Sequence, residues 1–351
     1  MKHKCLLCAI ILIICVGCDE SPTSVFPQAE SQGIDEAMLE AAYDAAAEIS
    51  SLQSLLVSRN GVLVAERYFH GAAADSFFEV RSVTKSVMSI LIGIAIEQGI
   101  IPGTEQSIGP YLLPLVDDFD TTKNSVTIEH LLTMSGGFEW APFGDWSEYN
   151  RWVRASNQTE YVMNKPLVNE PGTVFNYNDG ASHLLSVILA EAADVGTADY
   201  AYQHLFSHLE MAANRDWLQD RQGYERGSTG FHVTARGMIK IGELYLNQGV
   251  YKGAQVVPKS WVLRSTRPLI PTFTNVIYGA NYGYLWWVDT MHSHRVFYAN
   301  GFGGQFIFVV PDLALVVTAT NVWQNQSSPD ENWYNTIQII AEGIIPAVNE
   351  R

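Results

Sequence analysis

Hydrophobic positions along the 351-residue chain change their spacing from region to region, and the spacing predicts the elements. Residues 35–49 carry a helical period, whereas Leu52–Arg59 and Val62–Phe69 are two β-type runs separated by Asn60-Gly61, a strong hairpin signal. The almost unbroken apolar run from Val87 to Ile96 predicts a helix buried on every side, starting at Ser82 and ending at Gly99. Flanked by Lys85 and Glu97, that run is about half the length a membrane span needs, so it reads as a core helix. Mixed helices and loops follow over about 105–250, with helices at Thr127–Met134, His183–Ala193 and Ala235–Asn247. From Tyr282 the pattern becomes β again, over Tyr284–Thr290, Arg295–Ala299, Gln305–Val310 and Ala314–Thr320, before a closing helix at Glu331–Ala347. The expected fold is therefore α+β. Strands from both chain ends form one antiparallel sheet flanked by helices, with a mostly helical subdomain between them.

Composition narrows the setting. At 47% hydrophobic residues the chain can bury a large core, and a net charge of -16 disfavours nucleic acid as a partner. All four cysteines (Cys5, Cys8, Cys15, Cys18) lie in the first eighteen residues, which leaves the remainder without disulfides or thiolate metal sites. Lys2 and Lys4 followed by the apolar stretch Cys5–Val16 read as an export signal over residues 1–18. Gly17-Cys18 closes it in the manner of a bacterial lipobox, which would make Cys18 a lipidated membrane anchor facing the periplasm or cell exterior. Cys15 departs from the leucine usual at that position, and cleavage by ordinary signal peptidase is the alternative. Residues 19–33 read as a flexible tether, leaving 34–351 as the folded catalytic domain.

Candidate chemistry starts at Ser82-Val83-Thr84-Lys85. A serine and a lysine three apart share one face at the start of a helix, where free N–H groups and a partial positive charge also gather. Burial of the helix is expected to push the Lys85 pKa down, and a partly neutral lysine can take a proton from a serine. The same four residues also fit an N-cap serine followed by a snorkelling lysine.

Two further stretches bear on that choice. Pro171–Gly180 holds Tyr177 on a loop ahead of a helix, either as a general base or as a ring plugging the edge of the core. Tyr298–Gln305 is rich in glycine and leads into a strand. Its Gly301, Phe302 and Gly303 either let backbone N–H groups approach a substrate or simply make a hairpin.

Taken with Ile128–Gly137, Pro171-Gly172-Thr173 and Tyr282–Trp287, these stretches resemble the beta-lactamase-related serine hydrolases over roughly residues 35–348. That family includes class C β-lactamases, D-Ala-D-Ala carboxypeptidases, esterases and aminohexanoate-oligomer hydrolases. The resemblance implies the β-lactamase/penicillin-binding-protein-like fold and an acyl-enzyme mechanism without metal or organic cofactor. It implies Ser82 as nucleophile, Lys85 as its activator and Tyr177 as general base. The N–H groups of Ser82 and of a residue near Phe302 would form the oxyanion hole.

Two departures from the family pattern matter. Where the family has Tyr-x-Asn, this chain has Tyr177-Asn178-Asp179. Either Asp179 faces the lysine and favours its charged form, or Asn178 supplies the amide. Where penicillin-recognising members have Lys-Thr-Gly or His-x-Gly, this chain has Ala299-Asn300-Gly301. A carboxylate-bearing substrate would then lose a charge-assisted contact worth about 1.5–3 kcal/mol.

The expected function is thus hydrolysis of small esters or amides. A D-Ala-D-Ala carboxypeptidase or weak β-lactamase is one alternative, and a non-catalytic cell-wall or peptide-binding lipoprotein another. Aromatic residues are dense from Phe138 to Tyr161, either as packing for the helical subdomain or as an apolar acyl or amine pocket. His204 with His208 lacks the accompanying glutamate of a zinc helix, and His292-Ser293-His294 reads as a hairpin turn. Glu243–Asn247 and Gly227–Gly230 imitate β-lactamase elements at unsuitable places in the chain and are set aside. No Gly-x-Ser-x-Gly elbow occurs.

Overall fold

The computed structural model describes residues 26, 28–117, 120–211, 216–273, 278–324, 326 and 328–349. The export signal and Cys18 lie outside the described residues. Strands β1 (Leu52–Arg59) and β2 (Val62–Tyr68) form the expected hairpin, with Asn60 and Gly61 both at positive φ. Two small strand pairs follow, β3 (Phe77–Glu79) with β4 (His232–Thr234) and β5 (Val250–Tyr251) with β6 (Ala254–Gln255). The C-terminal strands are β7 (Ile270–Pro271), β8 (Asn281–Tyr282), β9 (Trp287–Met291), β10 (His294–Gly301), β11 (Gln305–Val310) and β12 (Leu315–Asn321).

Eight of these strands make one antiparallel sheet in the order β2-β1-β12-β11-β10-β9-β8-β7. The two ends of the chain meet where β1 pairs with β12, with Val57 opposite Val317. Strands β11 and β12 are buried at every position because helices cover the sheet, so they read as continuous apolar runs. Helix Ala235–Leu246 lies close on β11 and β12. A Cβ at Gly242 would come within 2.4 Å of the Val316 side chain.

Helix Val83–Glu97 is buried from Val83 through Ala95, which explains a sequence apolar all round its axis. It packs between the sheet at β10 and helix Asp179–Ala193 of the helical region. Strand pair β3–β4 ties the approach to Ser82 to the far end of that region. Three-residue strands have no readable period, so this pair carries no local signal.

Several expectations need correction. Tyr284–Trp286 are not strand: Leu285 takes φ 60°, donates its N–H to Leu132 O at 2.9 Å and accepts from Ser86 Oγ at 2.7 Å. That segment turns inward to grip the core helix, so β9 begins only at Trp287. The closing helix is regular over Pro329–Gln338 and widens into a π-type turn at Ile339–Ile344, stopping short of Ala347. Helix Ala235–Leu246, placed by sequence in the helical middle, belongs with the sheet.

Of the expected tether, Phe26 and Ala29 are packed against the folded body, while Gln28, Glu30 and Ser31 are exposed. The Phe26 ring lies 4.8 Å from that of Tyr43, Ala29 is fully buried, and Glu30–Gln32 form a 3-10 turn. Among the described residues no helix is long and apolar enough to cross a membrane.

Candidate active site

Ser82 is the first residue ahead of helix Val83–Glu97, and the backbone reaches it through Arg81 at φ 49°. A left-handed arginine costs strain that its surroundings must offset. Arg81 is held on both sides: its guanidinium pairs with Glu79 at 3.1 Å, donates to Tyr149 Oη at 3.2 Å and lies 4.2 Å over the Trp323 ring. Gly301 at the end of β10 abuts the same turn. A Cβ there would lie 2.4 Å from Val80 O, so only glycine lets the strand approach.

The three-residue spacing brings Lys85 back under Ser82. Lys85 Nζ donates to Ser82 Oγ at 2.8 Å, to Asp179 Oδ1 at 2.7 Å and to Ser228 O at 3.1 Å, which uses all three of its protons. The lysine side chain is only 1% exposed.

Burial pulls the Lys85 pKa down. The charge of Asp179, the nearby Tyr177 and their hydrogen bonds together outweigh that effect, and the pKa ends above the ordinary lysine value. The expectation of a depressed lysine pKa is overturned for this reason: desolvation is real, but a carboxylate shares the site. Lys85 and Asp179 form a buried ion pair, and the lysine is an ammonium at neutral pH.

The open choice between Asn178 and Asp179 is settled by capping. Asn178 precedes helix Asp179–Ala193 and accepts the Ala181 N–H on its Oδ1 at 2.9 Å, which commits its amide to the helix end. Asp179, one residue on, turns to Lys85.

Tyr177 sits on the loop ahead of that cap. Asn176 donates its N–H to Met134 O at 2.8 Å, and Asn178 N–H points to Met134 Sδ at 3.4 Å. Trp287 stacks on the Tyr177 ring at 5.9 Å, and Lys85 Nζ lies 4.8 Å from its centroid. Burial raises the Tyr177 pKa above the ordinary phenol value. The positive charge of Lys85 and bonds to Ser82 and Lys85 offset only part of the rise, so Tyr177 is a neutral phenol at rest.

A cavity of about 360 Å³ opens over Ser82 and Tyr177. Phe143, Trp146, Trp287, Phe302, Trp333 and Tyr334 give it aromatic walls, and Asn300, Gly144, Gly303 and Asp330 complete it. Among the described residues no lysine, arginine or histidine lines it. From the strand that would carry the missing cation, Ala299 is fully buried opposite Ile307, while Asn300 borders the cavity with its Oδ1 accepting the Trp333 indole N–H at 2.8 Å. Gly303 turns the chain at φ 79°. Among the described residues neither the Ser82 nor the Phe302 N–H has a hydrogen-bond partner.

The aromatic stretch of the sequence divides. Phe143 and Trp146 face the cavity, whereas Phe138, Trp140 and Trp152 are buried in the helical region. Sequence reasoning missed Asp330, Trp333 and Tyr334, which an amphipathic C-terminal helix brings to the site without any local signal. It also set aside Gly227–Gly230. These residues do not form a Lys-Thr-Gly strand, yet the Ser228 carbonyl reaches Lys85. A Cβ at Gly227 would lie 2.3 Å from Ser182 O, so a glycine there allows that approach.

The other signals lie elsewhere. Glu243 accepts from Ser58 Oγ across the sheet, His204 pairs with Gln98 at 3.0 Å, and His292 and Ser293 turn the β9–β10 hairpin at positive φ. Among the described residues there is no cluster of histidine, cysteine and carboxylate side chains able to hold a metal ion.

The chain is similar in sequence and fold to known proteins. The chain is 23% identical over 313 residues to the 6-aminohexanoate-dimer hydrolase of Paenarthrobacter ureafaciens, covering 83% of this chain and 77% of that protein. Its fold matches a penicillin-binding protein from Bacillus halodurans at a TM-score of 0.65 and 15% identity, over 85% of this chain and 98% of the other. It also matches EstCE1, a hydrolase with promiscuous acyltransferase activity, at 0.66 and 15% identity, over 90% and 100% of the two chains. The sequence profile described as Beta-lactamase matches residues 39–340, and the chain belongs to that family of hydrolases.

Proposed function

We propose that the protein is a serine hydrolase that cleaves small ester or amide substrates through an acyl-enzyme on Ser82. The observation that carries this reading is the 2.8 Å contact between Lys85 Nζ and Ser82 Oγ at the end of an aromatic cavity. Ser82 Oγ forms a bond to the substrate carbonyl carbon, and the carbonyl electron pair moves onto oxygen. The N–H groups of Ser82 and Phe302 are free to receive that oxyanion.

The serine proton passes to the Tyr177 oxygen as the phenol proton moves on to the leaving group. Lys85 as an ammonium stabilises the developing alkoxide by charge, and the phenol relays the proton to the departing alcohol or amine. Water then attacks the acyl-enzyme by the reverse path, releasing the acid and restoring Ser82.

A cavity without a basic side chain favours substrates uncharged at the reacting end over those presenting a carboxylate. This supports ester or amide hydrolysis over penicillin or D-Ala-D-Ala cleavage. The relative named for 6-aminohexanoate dimer makes a linear amide one candidate class. A fluorophosphonate probe tests the reading. Labelling of the wild-type protein that disappears in a folded Ser82→Ala variant is the expected result, and labelling that persists there would refute it. The N-terminal signal supports export with lipidation at Cys18, and Cys18→Ser should then move the protein from the membrane to the soluble fraction.

A further inference from the structure

Past Trp287 and Asn300 the cavity over Ser82 adjoins a second chamber of about 520 Å³. Phe143, Trp287, Asn300, Trp333 and Tyr334 border both. Phe273 and Tyr278 border only the second. The Phe273 ring is fixed at 5.4 Å from Phe143 and 5.5 Å from Phe175, so the dividing wall is built of packed rings.

At the junction Asn300 Oδ1 accepts the Trp333 indole N–H, which fixes the side chain beside the ring. Among the described residues no lysine, arginine or histidine borders either chamber, and a single carboxylate, Asp330, borders the first. Each chamber alone lies within the size range of small-molecule sites, roughly 300–1,000 Å³. An aromatic-walled space of this kind rewards burial of hydrocarbon and penalises a charge that finds no partner.

Resting on the serine-hydrolase reading, we propose that the second chamber is a subsite for a linear uncharged hydrocarbon arm of the substrate. The enzyme then selects esters and amides whose arm is long enough to pass Trp287, and it discriminates against arms ending in a carboxylate. Phe273 and Tyr278 set this preference without approaching the reacting bond.

The test uses two series on the purified full-length protein, with Ser82→Ala as control. Linear 4-nitrophenyl alkanoates lengthen the acyl arm, and acetates of linear alcohols lengthen the leaving arm. Full burial of a methylene is worth roughly fourfold at most, so kcat/KM should rise at least about tenfold from two to eight carbons in one series. The 4-nitrophenyl monoester of octanedioate should react at least about tenfold more slowly than the octanoate, since its terminal charge finds no basic side chain among the described residues of the second chamber.

Phe273→Ala, with Tyr278→Ala as the second variant, should cut the eight-to-two-carbon ratio by at least about threefold through lost apolar contact. That ratio is read within one protein and is insensitive to partial unfolding. Ser82-dependent hydrolysis that is flat in both series overturns the subsite and leaves the serine-hydrolase reading standing, as does a chain-length preference that neither variant alters. Absence of Ser82-dependent hydrolysis in every arm overturns both.

Discussion

Helix Asp179–Ala193 carries two buried side-chain pairs one turn apart, and only one of them belongs to a site. Asp179 meets Lys85 at 2.7 Å, and His183, four residues on, meets Asp220 at 3.1 Å. Both are secluded, the second completely. They differ in what else they touch. Lys85 holds a hydroxyl that opens onto a cavity, whereas Asp220 gives its other oxygen to the N–H groups of Gln222 and Tyr224 and ties a loop in place. Burial and charge perturbation alone therefore do not mark an active site. A polar atom that is both activated and reachable does.

Substitutions at the two pairs should separate these roles. The largest effect is expected from Ser82→Ala and Lys85→Met, each lowering kcat/KM on a short ester by at least about a thousandfold. Circular dichroism and the melting temperature would verify that both variants remain folded. Tyr177→Phe removes only the relay and should cost about a hundredfold or more, mainly in kcat.

Asp179→Asn sharpens the comparison further. It removes the charge that raises the Lys85 pKa and leaves desolvation, which lowers it. The fall of kcat/KM at high pH that reports loss of the Lys85 ammonium proton should shift to lower pH, read from a full pH–rate profile. A shift to higher pH would mean that Asp179 does not govern the lysine.

At the other pair, Asp220→Asn should lower stability by about 1–3 kcal/mol through the weakened bond to a buried histidine, measured by denaturant unfolding. It should leave the pH profile of kcat/KM in place. Loss of activity out of proportion to loss of fold would show that the two pairs act as one unit.

The contrast between pairs was only partly legible in the sequence. Ser82, Lys85 and Tyr177 could be selected because a buried helix start and a loop ahead of a helix each leave local marks: an apolar run after Ser82 and the Pro171–Gly180 stretch around Tyr177. The central hairpin and the strands near the C-terminus were readable for the same reason, since Asn60-Gly61 and the unbroken run of Gln305–Val310 are local patterns.

Whatever depended on distant parts of the chain meeting was not legible. The Lys85 charge state turns on a carboxylate 94 residues away, and the desolvation argument alone gave the wrong sign. Trp333 and Tyr334 come to the cavity from the last helix, and Ser228 arrives in a loop whose sequence resembles a different element. The inward turn at Leu285 likewise follows from its bonds to Leu132 and Ser86, which no local periodicity records.

The most direct test of the account is to trap the covalent intermediate. The wild-type protein, quenched in acid during turnover of a slowly hydrolysed ester, should gain the mass of one acyl group by intact-protein mass spectrometry. Peptide mapping should place that group on Ser82. Turnover with no covalent adduct, or an acyl group found on another residue, would contradict it.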